Sequence, residues 1–138
     1  MTTVAQWMKK PVTIEDDSSI MEATHLMKEE RIPYLPVMHK GKLIGLLTET
    51  SISKSTPGKA TSLDTWELHY LLSKIPVKEA MFRDPYTVLP EADIREAAQF
   101  LHDRRLSCLC VANSEGILVG ILTVTDVLEA LLALCKGG

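Results

Sequence analysis

The chain matches itself, and this constrains its fold more than any other feature. Val4 matches Val77 and Met8 matches Met81 at a spacing of 73 residues. Pro11-Val12-Thr13-Ile14 matches Pro85-Tyr86-Thr87-Val88, and Ile20, Ala23 and Arg31 match Ile94, Ala97 and Arg105, all at a spacing of 74. Leu35 and Val37 match Leu109 and Val111, and Gly45-Leu46-Leu47-Thr48 matches Gly120-Ile121-Leu122-Thr123 at 75. Each change of spacing is a one-residue insertion at a turn. Agreement of this order means two copies of one structural unit. The sequence divides as repeat 1 at residues 1–53, a linker loop and helix at 54–76, and repeat 2 at 77–138.

Each copy has the same local grammar. Val12–Ile14 and Tyr86–Leu89 are strand-forming stretches just after a proline. Ser19-Ile-Met-Glu22 and Asp93-Ile-Arg-Glu96 have the spacing of a capping box. Behind the caps, Ile20, Ala23 and Met27, and Ile94, Ala97, Ala98 and Leu101, mark one apolar helical face. Two apolar runs follow in each copy, Leu35–Met38 with Leu43–Thr48 and Cys108–Ala112 with Ile117–Thr123. The turns between them contain Gly41 and Gly116, which suit the positive φ of a hairpin. A closing helix is weak around Glu49–Ser53 and strong at Val124–Cys135. The predicted class is α/β (α+β), with two tandem β-α-β-β-α units.

Between the copies, Ser53–Lys59 reads as a loop and Leu63–Lys74 as a helix with Ser62 as its cap. Trp66 and Tyr70 stand at i, i+4, facing either the core or a second chain. The last helix carries Val127, Leu128, Ala130, Leu131, Leu132, Ala133 and Leu134, with almost no polar face. A helix apolar all round is normally buried on all sides, so self-association into a homodimer is predicted.

The net charge of −3 carries no basic footprint for nucleic acid. No apolar run reaches the ~18 residues of a membrane span, and the first ten residues do not have the pattern of a signal peptide. Three cysteines, an odd number, suit a reducing cytoplasm rather than a disulfide framework. Cys108 and Cys110 fall on one side of a strand, and no further ligands suggest a metal site, so no metal is expected. No Gly-x-Gly-x-x-Gly, nucleophile elbow or His-Glu-x-x-His is present, and the four histidines do not recur between copies. No catalytic residues are assigned, and the protein is not expected to be an enzyme.

The remaining feature is Gly120-Ile-Leu-Thr123-Val-Thr125-Asp126, where a strand gives way to the last helix. A helix N-terminus suits an anion, and a carboxylate there can accept hydrogen bonds from a ribose diol. The same residues also serve as a simple cap, with Thr123 or Thr125 as N-cap and Asp126 in the first turn, and the two roles are compatible.

With Arg31-Ile-Pro-Tyr-Leu-Pro-Val37 and Gly120–Asp126 placed in tandem β-α-β-β-α units, the chain resembles the CBS domain pair, or Bateman module. The linker helix is also similar to that of bacterial acetoin-utilisation-type CBS proteins. The resemblance implies one pseudo-twofold module that regulates rather than catalyses. It implies an adenosine-containing ligand (AMP, ADP, ATP or S-adenosylmethionine) in clefts between the repeats, with no other cofactor required. One cleft would use Ile121, Thr123, Thr125 and Asp126 with Val12, Thr13 and Ile32. A second, weaker cleft would use Leu46, Thr48, Thr50 and Ser51 with Tyr86, Thr87 and Leu106. Ser51 stands where the family has aspartate, and a hydroxyl cannot make the charge-assisted bidentate contact. Pro33-Tyr34 and Ser107-Cys108 stand where some members carry phosphate-facing cations, for which Arg31, Arg104, Arg105, Lys28 or Lys40 are the candidate substitutes. The family further implies a client protein that this sequence does not identify. The alternative is a structural or protein-interaction module whose clefts do not bind.

Overall fold

The computed structural model describes residues 2–56 and 63–136. They fall into two compact units, Val12–Pro85 and the combination of Met1–Pro11 with Tyr86–Gly138. The sequence repeat and the compact unit are therefore different sets of residues. Each unit contains the opening segment of the other copy.

The unit Val12–Pro85 holds a four-stranded sheet in the order β1-β2-β3-β4. These strands are Ile14–Glu15, Tyr34–His39, Lys42–Thr48 and Phe82–Arg83. β1 runs parallel to β2, while β2–β3 and β3–β4 are antiparallel. The predicted strand Val12–Ile14 is displaced towards Glu15, because it is Ile14 and Glu15 that find partners, in Val37 and Met38. The β2–β3 turn is two residues long, with Lys40 at φ 48° and Gly41 at φ 79°. Positive φ at both central positions matches the strand twist of a tight hairpin.

Helix α1, Ile20–Glu30, lies on this sheet and buries Ile20, Ala23 and Met27. Its cap is half the predicted box. Ser19 Oγ accepts from the Glu22 amide at 3.1 Å, but the Glu22 carboxylate takes the Ser19 hydroxyl rather than its amide. Helix α2 spans Glu49–Ser55, α3 Thr65–Lys74 and α4 Val77–Ala80. The predicted cap Ser62 lies outside the described residues. Asp64 is the observed cap, accepting from the Glu67 amide at 2.7 Å. The core gathers Ile14, Ile20, Ala23, Met27, Leu35, Val37 and Leu47 with Val77 and Ala80 of α4.

The other unit repeats the plan. Its sheet is β5 Thr87–Val88, β6 Cys108–Ala112 and β7 Leu118–Thr123, in that order. Lys9 adds an isolated antiparallel bridge to Ile121, where β4 pairs with β3 in the first unit. Helix α5, Ile94–Arg104, buries Ile94, Ala97 and Leu101. Its cap Asp93 accepts from the Arg95 amide at 2.9 Å and from the Arg95 guanidinium, so the expected Glu96 box does not form. Both α1 and α5 end on a left-handed arginine, Arg31 at φ 57° and Arg105 at φ 53°. Helix α6 spans Val124–Lys136. Val4, from a 3₁₀ turn at Val4–Gln6, enters this core with Ile94, Leu101, Leu109, Val111, Leu122 and Ala130.

Gly120 explains why Met8 matches Met81. A Cβ on Gly120 would lie 2.9 Å from Met8 Cγ and 3.2 Å from the Lys9 carbonyl oxygen. A Cβ on Gly45 would lie 2.9 Å from both Met81 Cγ and the Phe82 carbonyl oxygen. In each unit a bare backbone lets a methionine cross the strand.

Candidate functional site

The start of α6 is built by Thr123 and Asp126. Thr123 ends β7, opposite Cys108 in the strand pairing. Asp126 is 2% exposed. Its Oδ2 accepts from the Thr123 amide at 2.8 Å and the Thr123 hydroxyl at 3.0 Å. The Asp126 amide donates back to Thr123 Oγ1 at 3.2 Å. These reciprocal bonds form the predicted cap and fix the carboxylate. They leave Oδ1 to a different group, the Lys9 ammonium at 3.2 Å. Lys9 also reaches Glu129 Oε2 at 3.3 Å. The hydrogen bond to Asp126, foremost, holds the Lys9 ammonium above its ordinary pKa.

The matching site at α2 is uncharged. The Thr48 amide donates to Ser51 Oγ at 2.8 Å, and the Ser51 amide donates to Thr48 Oγ1 at 3.0 Å. The Ser51 hydroxyl donates to the Thr48 carbonyl at 2.9 Å. Its one proton and one of its lone pairs are thus committed within the turn.

Each sequence-derived residue set draws on both units. Within Met1–Pro11 with Tyr86–Gly138, Thr87 pairs with Cys110, and Cys110 pairs with Ile121. Thr87 and Ile121 therefore flank one residue of β6. Ile121 is buried, Leu106 half-buried, and Thr125, Tyr86 and Thr87 are exposed. The Arg104 guanidinium lies 4.9 Å from the centre of the Tyr86 ring and donates to its hydroxyl at 3.1 Å. Tyr86 also meets Phe100 edge-on at 5.3 Å. Within Val12–Pro85, Leu46 pairs with Pro36 and Thr48 with Tyr34. Val12, Ile32 and Leu46 are half-buried, while Thr13 and Thr50 are exposed.

Of the cations proposed as substitutes, Arg104 is engaged with Tyr86, and Arg31 and Arg105 serve as helix ends. The cation that meets Asp126 is Lys9, which the sequence reading missed. A signal was present. Lys9 matches Phe82 at 73, and it changes type along with Asp126 and Glu129, which match Ser51 and Lys54 at 75.

The two strand cysteines are buried, and burial pushes the Cys108 thiol to about 11 and the Cys110 thiol to about 12. Among the described residues, no three His, Cys, Asp or Glu side chains gather as metal ligands. No helix among them is long and apolar enough to cross a membrane.

The chain is similar to proteins of known structure over nearly its full length. A putative acetoin utilization protein (AcuB) of Vibrio cholerae is 25% identical, with a TM-score of 0.80 over 99% of this chain and 94% of that one. The Arabidopsis thaliana protein CBSX2, solved in complex with AMP, is 25% identical, with a TM-score of 0.79 over 97% and 98%. An uncharacterized protein of Methanocaldococcus jannaschii is 28% identical over 91% of this chain and 88% of its own length. The chain spans only 21% of the inosine-5′-monophosphate dehydrogenases that it also matches. The family model for the CBS domain matches twice, at residues 4–57 and 77–133. The chain thus belongs to the CBS-domain family, as a tandem pair of CBS domains.

Proposed function

We propose that this protein is a non-catalytic regulatory module that binds an adenosine-containing ligand of the AMP, ADP, ATP or S-adenosylmethionine class. The observation that carries the reading is the buried Asp126 carboxylate, fixed by Thr123 through one oxygen while the other meets the exposed Lys9 ammonium. A carboxylate so fixed is pre-organised to accept ligand hydroxyls. The likeness to CBSX2, whose structure is described as a complex with AMP, supports the ligand class. Ile121, Thr123, Thr125 and Asp126, with Val12, Thr13 and Ile32, form the proposed site. Leu46, Thr48, Thr50 and Ser51, with Tyr86, Thr87 and Leu106, form the weaker one. The alternative, an interaction module with non-binding clefts, finds support at Ser51, whose hydroxyl is committed to its own turn.

The same reading includes a homodimer, a client protein and a cytoplasmic setting. The three free cysteines suit a reducing compartment. The client follows from the function, since a ligand regulates only by binding two states of something unequally.

A thermal-shift panel tests the proposal, using AMP, ADP, ATP, S-adenosylmethionine and NAD with a guanine nucleotide as control. A ligand at 100 times its Kd adds about 2.7 kcal/mol to stability. Stabilisation by adenine compounds alone is expected. Asp126→Ala should weaken that binding tenfold or more, since a hydrogen bond to a charged group contributes about 1.5–3 kcal/mol. A flat panel refutes the ligand reading and favours the interaction module. Unchanged affinity in the Asp126 variant refutes the site.

A further inference from the structure

The two units differ at three matched positions that meet in space. Lys9 stands opposite Ile121 of β7, as Phe82 stands opposite Leu46 of β3. In one unit the set is Lys9, Asp126 and Glu129, joined by ion pairs of 3.2 and 3.3 Å. In the other it is Phe82, Ser51 and Lys54. The second set builds the same strand pairing and the same helix start without the ion pairs. The charged set is therefore not required by the architecture, and its three members belong together.

We propose that Lys9 sets ligand selectivity at Asp126, favouring diols that carry a phosphate over neutral diols. This deepens the reading of Asp126 as the ligand-binding carboxylate and rests on it. Asp126 Oδ2 is committed to the amide and hydroxyl of Thr123, so a ligand hydroxyl must come to Oδ1. Lys9 already holds that oxygen. A neutral diol that displaces the ammonium offers it hydroxyl oxygens but no negative charge. A phosphate on the same ligand gives the ammonium a new partner. The Lys9 side chain is suited to that exchange, being 57% exposed and ending in a compact charge on a flexible four-carbon stem. Glu129 competes for the same ammonium and moderates the preference.

The test is calorimetric titration of the full chain with AMP and with adenosine, in wild type, Lys9→Met and Lys9→Arg. The readout is the ratio of the two affinities, which loss of packing or of fold would not shift selectively. Wild type should prefer AMP. Lys9→Met should lower that preference by about tenfold, equivalent to about 1.4 kcal/mol, through weaker AMP binding and unchanged or tighter adenosine binding. Lys9→Arg should keep it. In wild type the preference should also fall as salt is raised, because exposed charges are screened; this measurement stands even where a variant does not fold. Equal effects of Lys9→Met on both ligands, or a salt-independent ratio, would overturn the proposal and leave the Asp126 site intact. Wild type that binds neither ligand overturns the proposed function and this inference with it.

Discussion

Cys108 and Cys110 stand in β6, whose five residues are all buried. Burial raises both thiols, to about 11 and about 12, because a thiolate there would lose its hydration. Cys135 near the end of α6 is exposed. At neutral pH the native protein should therefore take up one equivalent of a maleimide, at Cys135, and three in denaturant. Mass spectrometry of the labelled peptides checks this, and rapid native labelling of β6 would contradict it. The linkage has a definite sign. The folded thiols hold their protons more tightly than unfolded ones, so their contribution to stability is complete below about pH 9 and declines as pH rises towards the folded values. At this scale the sequence was legible where the partners are near neighbours. Thr123 and Asp126 are three residues apart, and their cap could be read directly. The Lys9–Asp126 pair joins residues distant in sequence, and only the bridge between Lys9 and Ile121 brings them together.

Helices α3 and α6 show what periodicity conveys and what it omits. Their existence was readable from spacing: α6 runs Val124–Lys136 against a predicted Val124–Cys135, while α3 starts at Thr65, two residues after the predicted Leu63. The faces they present were not. Trp66 and Tyr70 of α3 lie away from the core, 74% and 57% exposed. They stack on each other at 6.0 Å, with the Lys74 ammonium 5.2 Å from the Tyr70 ring centre. The helix meets its core through Leu72 instead. In α6 the core takes Ala130 and part of Val127, and leaves Val124, Leu128, Leu131, Leu132 and Leu134 exposed. A stripe of that kind is characteristic of an interaction surface. We assign it to the proposed homodimer. Sedimentation should give twice the chain mass, and Leu128→Glu with Leu132→Glu should halve it while far-UV circular dichroism stays helical. A wild-type monomer at micromolar concentration would remove the dimer from the proposal.

For the whole molecule, the two matched copies identified the family and the order of elements. They did not reveal that each unit borrows its opening segment, because a repeat in sequence marks what is similar and not what is adjacent. Val4 and Val77 match each other and are both wholly buried, yet each lies in the core of the other copy. Removing residues 1–11 should therefore damage the C-terminal copy. Hydrogen exchange should accelerate in α5, β6 and β7, while the amides of β2 and β3 stay protected. The reverse pattern would show that the N-terminal segment supports its own copy.

The borrowed segments also impose an order on synthesis. A ribosome releases the whole of Val12–Pro85 in one stretch, so that unit can close while the remainder is still being made. The residues before it are translated earlier, yet their strand partner Ile121 is translated only after it. Val4 and Met8 must therefore wait for their core partners until Val12–Pro85 has been made. The nascent chain thus displays an apolar segment until its later partners are made, and that segment is where a chaperone would engage it.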